Sequence, residues 1–265
     1  MDHFFDERDE RLLGQDPYTF FVMKRILGAD CAIKLSDHER FILCYTCAPY
    51  PVWLWTPEDV SCGDMERAYQ TVREQGLLDR AHHFNMKYAL AEYFIQRAAR
   101  DGKPMAITVN MLAYDCPQPV EPTVRAEGAM RLCGPEDTDA LVDFLDGFHR
   151  ETGVDQRDRE GYRQEAAERI AQGKTYFWCN AAGERVASCA YNVHGTMASV
   201  GLVYTHPQHR RKHYGENLVY AVTQIAREAG LLPMLYTDAD YAASNACYQK
   251  IGYVLRGRLC TVGMQ

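Results

Sequence analysis

Arg210, Arg211, Lys212 and His213 stand in a row between two stretches of opposite periodicity. Before them, 200–204 (Val-Gly-Leu-Val-Tyr) is β-branched and aromatic and is bounded by Pro207, which predicts a strand. After them, Leu218, Val219, Val222, Ile225 and Ala226 recur at helical spacing until Gly230. A strand that feeds a helix N-terminus through a basic loop can hold a phosphate. The first-turn N–H groups have no intrahelical partner, and the helix dipole favours negative charge there. A solvated basic turn over a buried helix is the plainer alternative for such a cluster.

The residues downstream of this loop add to its meaning. A second strand is expected over 235–238 (Leu-Tyr-Thr-Asp), then a helix over 242–251 that carries Ser244, Asn245 and Tyr248 and closes at Gly252-Tyr253. Asn245 and Tyr248 are three residues apart and share one side of that helix. In this order and separation the pieces resemble the GCN5-related N-acetyltransferases (GNAT), over roughly residues 126–265. Val203-Tyr204-Thr205-x-Pro207 resembles the strand leading into that family's CoA site. Arg210-x-x-His213-x-Gly215 resembles its pyrophosphate loop, with His213 where the family has glycine. Ser244-Asn245-x-x-Tyr248-x-x-x-Gly252-Tyr253 resembles its closing helix and turn.

The resemblance implies acetyl-CoA as acyl donor and no metal. It assigns cofactor contacts to Val203, Tyr204, Thr205, Arg210, Arg211, Lys212, His213, Tyr214, Gly215, Glu216 and Asn245. It implies that the strand at 203–205 splays from its neighbour, leaving backbone groups for the pantetheine arm and one N–H for the thioester oxygen. It makes Tyr248 the catalytic general acid: a phenol with a pKa of about 10 keeps its proton at neutral pH and can give it to a departing thiolate. The alternative for Tyr248 is packing beside Ile251. For the base, His149, Glu151, Asp155, His194, His206 and Asp238 are all candidates, and a water chain is another.

Elements must position these groups. Helices are expected over 16–28 (Asp16 cap, Pro17 in the first turn), 61–76, 85–99, 135–149 and 155–172. Strands are expected over 29–35, 39–47, 51–55, 105–112, 124–132, 175–179, 185–193 and 253–262. Residues 1–15 read as acidic and frayed. Pro117, Pro119 and Pro122 mark 116–123 as a stiff linker. The expected architecture is α+β (mixed α/β). A GNAT-like domain at 124–265, with a central, mostly antiparallel twisted sheet flanked by helices, follows an N-terminal α/β domain at 1–123. The latter is a degenerate copy of the former or a separate substrate-gating domain.

Composition sets the outer limits. The 265 residues are 47% hydrophobic and 25% charged, enough for sizeable cores. No apolar run reaches membrane length, and Met1–Arg8 lacks a signal-peptide pattern, so a cytoplasmic, non-membrane protein is expected. The net charge of −7 argues against nucleic acid as a partner. The ten cysteines show no disulfide framework. Cys44-x-x-Cys47 has no second pair for zinc and lies in an apolar run, so both are expected in the core. His82 and His83 are expected at the surface, and Cys247 has no defined histidine partner for a nucleophilic role. The expected activity is transfer of acetyl from acetyl-CoA to a primary amine of a small molecule or peptide, by a monomer or homodimer. A non-catalytic CoA-binding or regulatory relative is the alternative.

Overall fold

The structure is a computed structural model and describes residues 1–28, 30–153 and 156–265. The chain is mixed α/β, with sheet flanked by helices, and divides into two compact units. Met1–Ala113, Tyr236–Tyr241 and Leu255–Gln265 form the first; Tyr114–Leu235 and Ala242–Val254 form the second.

The first unit contains α1 (Glu7–Leu13), α2 (Phe21–Leu27), β1 (Ile33–Ser36), β2 (Ile42–Tyr45), β3 (Val52–Trp55), α3 (Cys62–Glu74), β4 (His83–Met86), α4 (Tyr88–Arg100) and most of β5 (Met105–Asp115). β1, β2 and β3 are antiparallel neighbours. β3 and β4 run parallel, with Val52 opposite Phe84 and Trp53 opposite Asn85. Parallel neighbours need a long crossover, which α3 supplies. Two apolar clusters hold this unit. Leu90, Ala91, Phe94 and Ala98 of α4 pack with Tyr69 and Val72 of α3 and with Phe84. Leu13, Phe20 and Met23 pack with Trp53 and Trp55. Each large side chain so buried contributes about 1.5–3 kcal/mol.

The second unit adds β6 (Ala129–Leu132), α5 (Thr138–Thr152), α6 (Arg159–Gln172), β7 (Thr175–Cys179), β8 (Arg185–His194), β9 (Met197–Thr205), α7 (Tyr214–Glu228), β10 (Leu232–Asp238, its last residues in the first unit) and α8 (Ala242–Lys250). β6 to β9 form an antiparallel meander. β10 is parallel to β9 after the crossover through α7. The core joins Leu141, Phe144 and Leu145 of α5 to Phe177, Leu202 and Tyr204. The last strand, β11 (Val254–Met264), lies mostly in the first unit, antiparallel to β4 with Cys260 opposite Met86.

Several sequence expectations are corrected by contacts between residues far apart in the chain. The helix expected from Asp16 begins at Phe21. The Asp16 carboxylate instead accepts from Trp55 Nε1 at 2.9 Å and Lys87 Nζ at 2.7 Å. Residues 1–15 are not frayed: α1 is closed by an Asp6–Asp9 capping box. Asp9 is fully buried, accepting from Ser36 Oγ and pairing with His38 Nδ1. Residues 83–86 form β4 rather than part of the following helix. The strand expected from 124 begins at Ala129. Cys47 lies past the end of β2 and is exposed, although Cys44 is buried. The first residues of the expected strand 29–35 and helix 155–172 lie outside the described residues.

Gly252 shows why the closing turn needs glycine. Its φ is +97°, and a Cβ there would sit 2.4 Å from the Gln118 carbonyl oxygen. The proline-rich stretch passes over this turn, with Val120 N–H donating to Ile251 O at 3.0 Å and Cys116 N–H to Pro233 O at 2.9 Å.

Candidate active site

β9 and β10 separate as they run. Their parallel register covers only Met197–Ser199 against Leu232–Met234. Beyond it lie Val203, Tyr204 and Thr205, the last two still paired to β8 on the other side. The separation coincides with a bulge. Two β9 residues, Leu202 and Val203, oppose the single Cys189 of β8, and Leu202 has φ +52°. A leucine in that region is strained, and a bulge bends and twists its strand. The strain is contained because the Leu202 side chain is buried and its carbonyl accepts from Ser188 Oγ at 3.0 Å. Sequence reading missed this bulge.

After Thr205 a short 3-10 turn at Pro207–His209 leads to Arg210 and then to α7. Two non-glycine residues of the loop have left-handed backbone, Arg211 at φ +63° and His213 at φ +60°. His213 is the residue before the helix and caps it with no side-chain bond. The first intrahelical bond runs from Asn217 N–H to His213 O, at 3.0 Å. The N–H groups of Tyr214, Gly215 and Glu216 therefore lead the helix without a carbonyl four residues back. The His213 ring turns to Glu216, with Nδ1 3.1 Å from Oε2. Gly215 lies hard against β9: a Cβ there would be 2.8 Å from Thr205 Oγ1.

Arg210 is fastened to the strand end. Its Nε donates to Thr205 O at 3.0 Å, its guanidinium pairs with Glu151 of α5, and it stands 5.9 Å from the centre of the Tyr204 ring. Arg211 and Lys212 are exposed. Sequence reading also overlooked the tethers of α7. Tyr214 donates its hydroxyl to Glu127 at 2.7 Å, and that bond, with burial, pushes the phenol up to about 12. Asn217 Nδ2 reaches the Val124 carbonyl at 3.0 Å and the His213 carbonyl at 2.9 Å. Val124 and Glu127 were expected in a strand; their engagement by α7 is one reason β6 starts later.

α8 brings Asn245 and Tyr248 inward, both buried. The Tyr248 ring meets Tyr253 edge-on, with centroids 5.8 Å apart. Burial drives its phenol well above the ordinary tyrosine range, and the neighbouring Cys247 and Cys189 thiols add to this. Tyr248 therefore keeps its proton throughout the working range and cannot serve as a base. Cys189 is the β8 residue opposite the bulge. Burial likewise raises Cys247 to about 12, helped by Glu216 of α7, so its thiol is a poor nucleophile.

The base candidates separate by surroundings. His149 is buried, its ring packed on Phe148 and Tyr162. Glu151 holds Arg210. His194 ends β8, half-buried. Asp238 belongs to the first unit and accepts from Asp240 N–H at 3.0 Å. His206 directly follows β9, and its Nδ1 is buried with no hydrogen-bond partner among the described residues. Asp155 lies outside the described residues. One grouping among them has metal-ligand geometry, Asp6, Asp9 and His38 in the first unit. Its donors are already engaged, His38 Nδ1 by Asp9 and Nε2 by Asp2, and Asp9 also by Ser36.

Residues 139–253 match the sequence model of the acetyltransferase (GNAT) family. An acetyltransferase from the GNAT family of Colwellia psychrerythraea is similar over 96% of this chain and 97% of its own, at 14% identity and TM-score 0.60. A GCN5-related N-acetyltransferase from Sphaerobacter thermophilus matches over 92% and 84%, at 13% identity and TM-score 0.62. One from Kribbella flavida matches over 98% and 96%, at 13% identity and TM-score 0.59. At these identities the likeness is one of fold. No curated protein matches in sequence, and among the described residues no helix is long and apolar enough to cross a membrane.

Proposed function

Residues 139–253 form a domain of the acetyltransferase (GNAT) family, and on that premise we propose that the chain transfers acetyl from acetyl-CoA to a primary amine by direct attack on the thioester. The observation that carries this reading is the uncapped start of α7 beside a β9 that has parted from β10. The pyrophosphate takes the N–H groups of the loop from Arg211 to Gly215, with Arg210, Arg211 and Lys212 supplying positive charge. The pantetheine arm adds to the β9 edge at Val203–Thr205, and a backbone N–H there stabilises the oxyanion. Glu216 and Asn245 complete the cofactor contacts.

Tyr248 is the proton donor to the leaving thiolate. Its buried phenol keeps its proton at neutral pH and donates to the sulfur as the C–S bond breaks. His206 is the base we favour, because its buried Nδ1 is unbonded and it directly follows the cofactor strand. The acceptor is a small-molecule or peptide amine.

The N-terminal half of the chain repeats the element order of the C-terminal half. From α1 to β5 and from α5 to β11 the sequence is helix, helix, three strands, helix, strand, helix, strand. This order supports reading it as a second copy of the fold that has lost its cofactor loop. A non-catalytic CoA-binding role is the second reading, favoured by the left-handed His213 where the family has glycine. Thiol release from acetyl-CoA, followed against a panel of primary amines, decides between them. Amine-dependent release is expected. Cofactor binding without release from any amine favours the second reading.

A further inference from the structure

The carboxyl ends of the parallel strands in the first unit frame a cavity of about 180 Å³. Thr56 and Glu58 enter it after β3, Lys87, Tyr88 and Ala89 after β4, and Arg258 from β11. Sheets with helical crossovers bind ligands outside the carboxyl ends of their parallel strands. This volume is below the roughly 300–1,000 Å³ of drug-sized ligand pockets, so only a small molecule fits.

The chemistry centres on Lys87. Its side chain is only 10% exposed, yet it carries an ammonium between two carboxylates, Asp16 at 2.7 Å and Glu58 at 2.9 Å. The same ammonium lies 5.7 Å from the centre of the Trp55 ring and 5.9 Å from that of Phe20. The two carboxylates differ. Asp16 is 17% exposed and is also held by Trp55 Nε1, whereas Glu58 is 85% exposed. The inner partner is built in; the outer one is loosely held and can be displaced. Arg258 is exposed and forms no ion pair among the described residues. With Glu58 swung out, Lys87, Arg258 and Asp16 leave one net positive charge.

We propose that this cavity is a binding site for a small organic carboxylate, which takes the place of Glu58 against Lys87 and is closed from the solvent side by Arg258. One net charge suits a monoanion, and the planar guanidinium fork matches a carboxylate. The site is not a second CoA site, because the N-terminus of α3 is already closed by its own Ser61 and Asp64.

The test uses the full chain and two readouts, calorimetry and tryptophan fluorescence, since Trp55 adjoins Lys87. Acetate, glycolate and inorganic phosphate are titrated with and without saturating CoA. Saturable binding of acetate or glycolate, unchanged by CoA, is expected. Glu58→Gln should tighten it by about fivefold, the upper range for removing an exposed ion-pair competitor. Arg258→Ala should weaken it by roughly tenfold. Both side chains are exposed, so neither change endangers the fold. Absence of saturation, preference for phosphate, competition by CoA, or binding that either variant leaves unchanged overturns the proposal.

Discussion

α3 and α7 hold the same place in their units, each crossing between two parallel strands, yet their first turns meet solvent differently. α3 starts in a complete capping box: Ser61 accepts from Asp64 N–H, and Asp64 accepts from Ser61 N–H and Oγ. An acidic group thus occupies the site an anion would use. The Ser61 hydroxyl and N–H bonds, with Arg67, hold the Asp64 carboxyl well below the usual range, so it is charged at any working pH. α7 has no side-chain cap, and Arg210, Arg211 and Lys212 precede it. A self-satisfied helix end is stable and inert. An open one, pressed against its strand by Gly215, is available to a ligand at a cost in stability.

The largest effect is expected for Tyr248→Phe. Turnover should fall about a hundredfold or more, the range for losing a general acid, while the CoA dissociation constant stays within about twofold. Equal turnover by the variant in steady-state assays would remove Tyr248 from the mechanism. Next, Arg210→Ala should weaken CoA binding by roughly tenfold, less so at high salt, because one charge-assisted phosphate contact is lost. The matching deletion at α3, Arg67→Ala, should leave CoA affinity unchanged; an effect there would break the contrast between the two helices.

His213→Gly should tighten CoA binding by a few-fold. It removes a left-handed non-glycine residue, a strain of about 1–2 kcal/mol, and a Cβ from the anion's path. Weaker binding by the variant would mean that the imidazole itself contacts phosphate. The smallest effect on CoA belongs to Ser61→Ala. It should cost about 1 kcal/mol in stability, read by thermal melting, and leave CoA affinity untouched. The pH sign follows from Asp64. A depressed carboxyl contributes stability above its ordinary value of about 3.9 and loses it as pH falls through the lower, folded value. The melting difference between wild type and Asp64→Asn should therefore shrink on acidification, and growth of the difference would contradict the capping role.

Much of the second unit was legible because its signals are local. The strand at 200–204, the basic loop and the helix spacing after Glu216 needed only near neighbours, and β9, the loop and α7 keep that order. What escaped was set at long range. Nothing around Leu202 announces left-handed backbone; the bulge is defined across the sheet, where Cys189 faces it and Ser188 Oγ donates to the Leu202 carbonyl. Asp16 looked like a helix cap, but Trp55 and Lys87 claim its carboxylate from far along the chain. Asp9 looked like a solvated acid in a loose tail, and His38 and Ser36 bury it. Residues 83–86 merged with the following helix because Met86 and Leu90 share its spacing, whereas pairing with β11 makes them a strand. Of the candidate site, residue types and order were readable, but the tethers from Val124 and Glu127 to α7 were not.

The most direct measurement is calorimetric titration of the full chain with acetyl-CoA, alongside CoA and dephospho-CoA. One site per chain is expected, at micromolar affinity or about −8 kcal/mol, abolished or sharply weakened by changes in the loop from Arg210 to Gly215 and indifferent to changes at Ser61. Absence of binding would mean that His213 has closed the loop. Two equivalent sites per chain would contradict the difference between α3 and α7 on which the account rests.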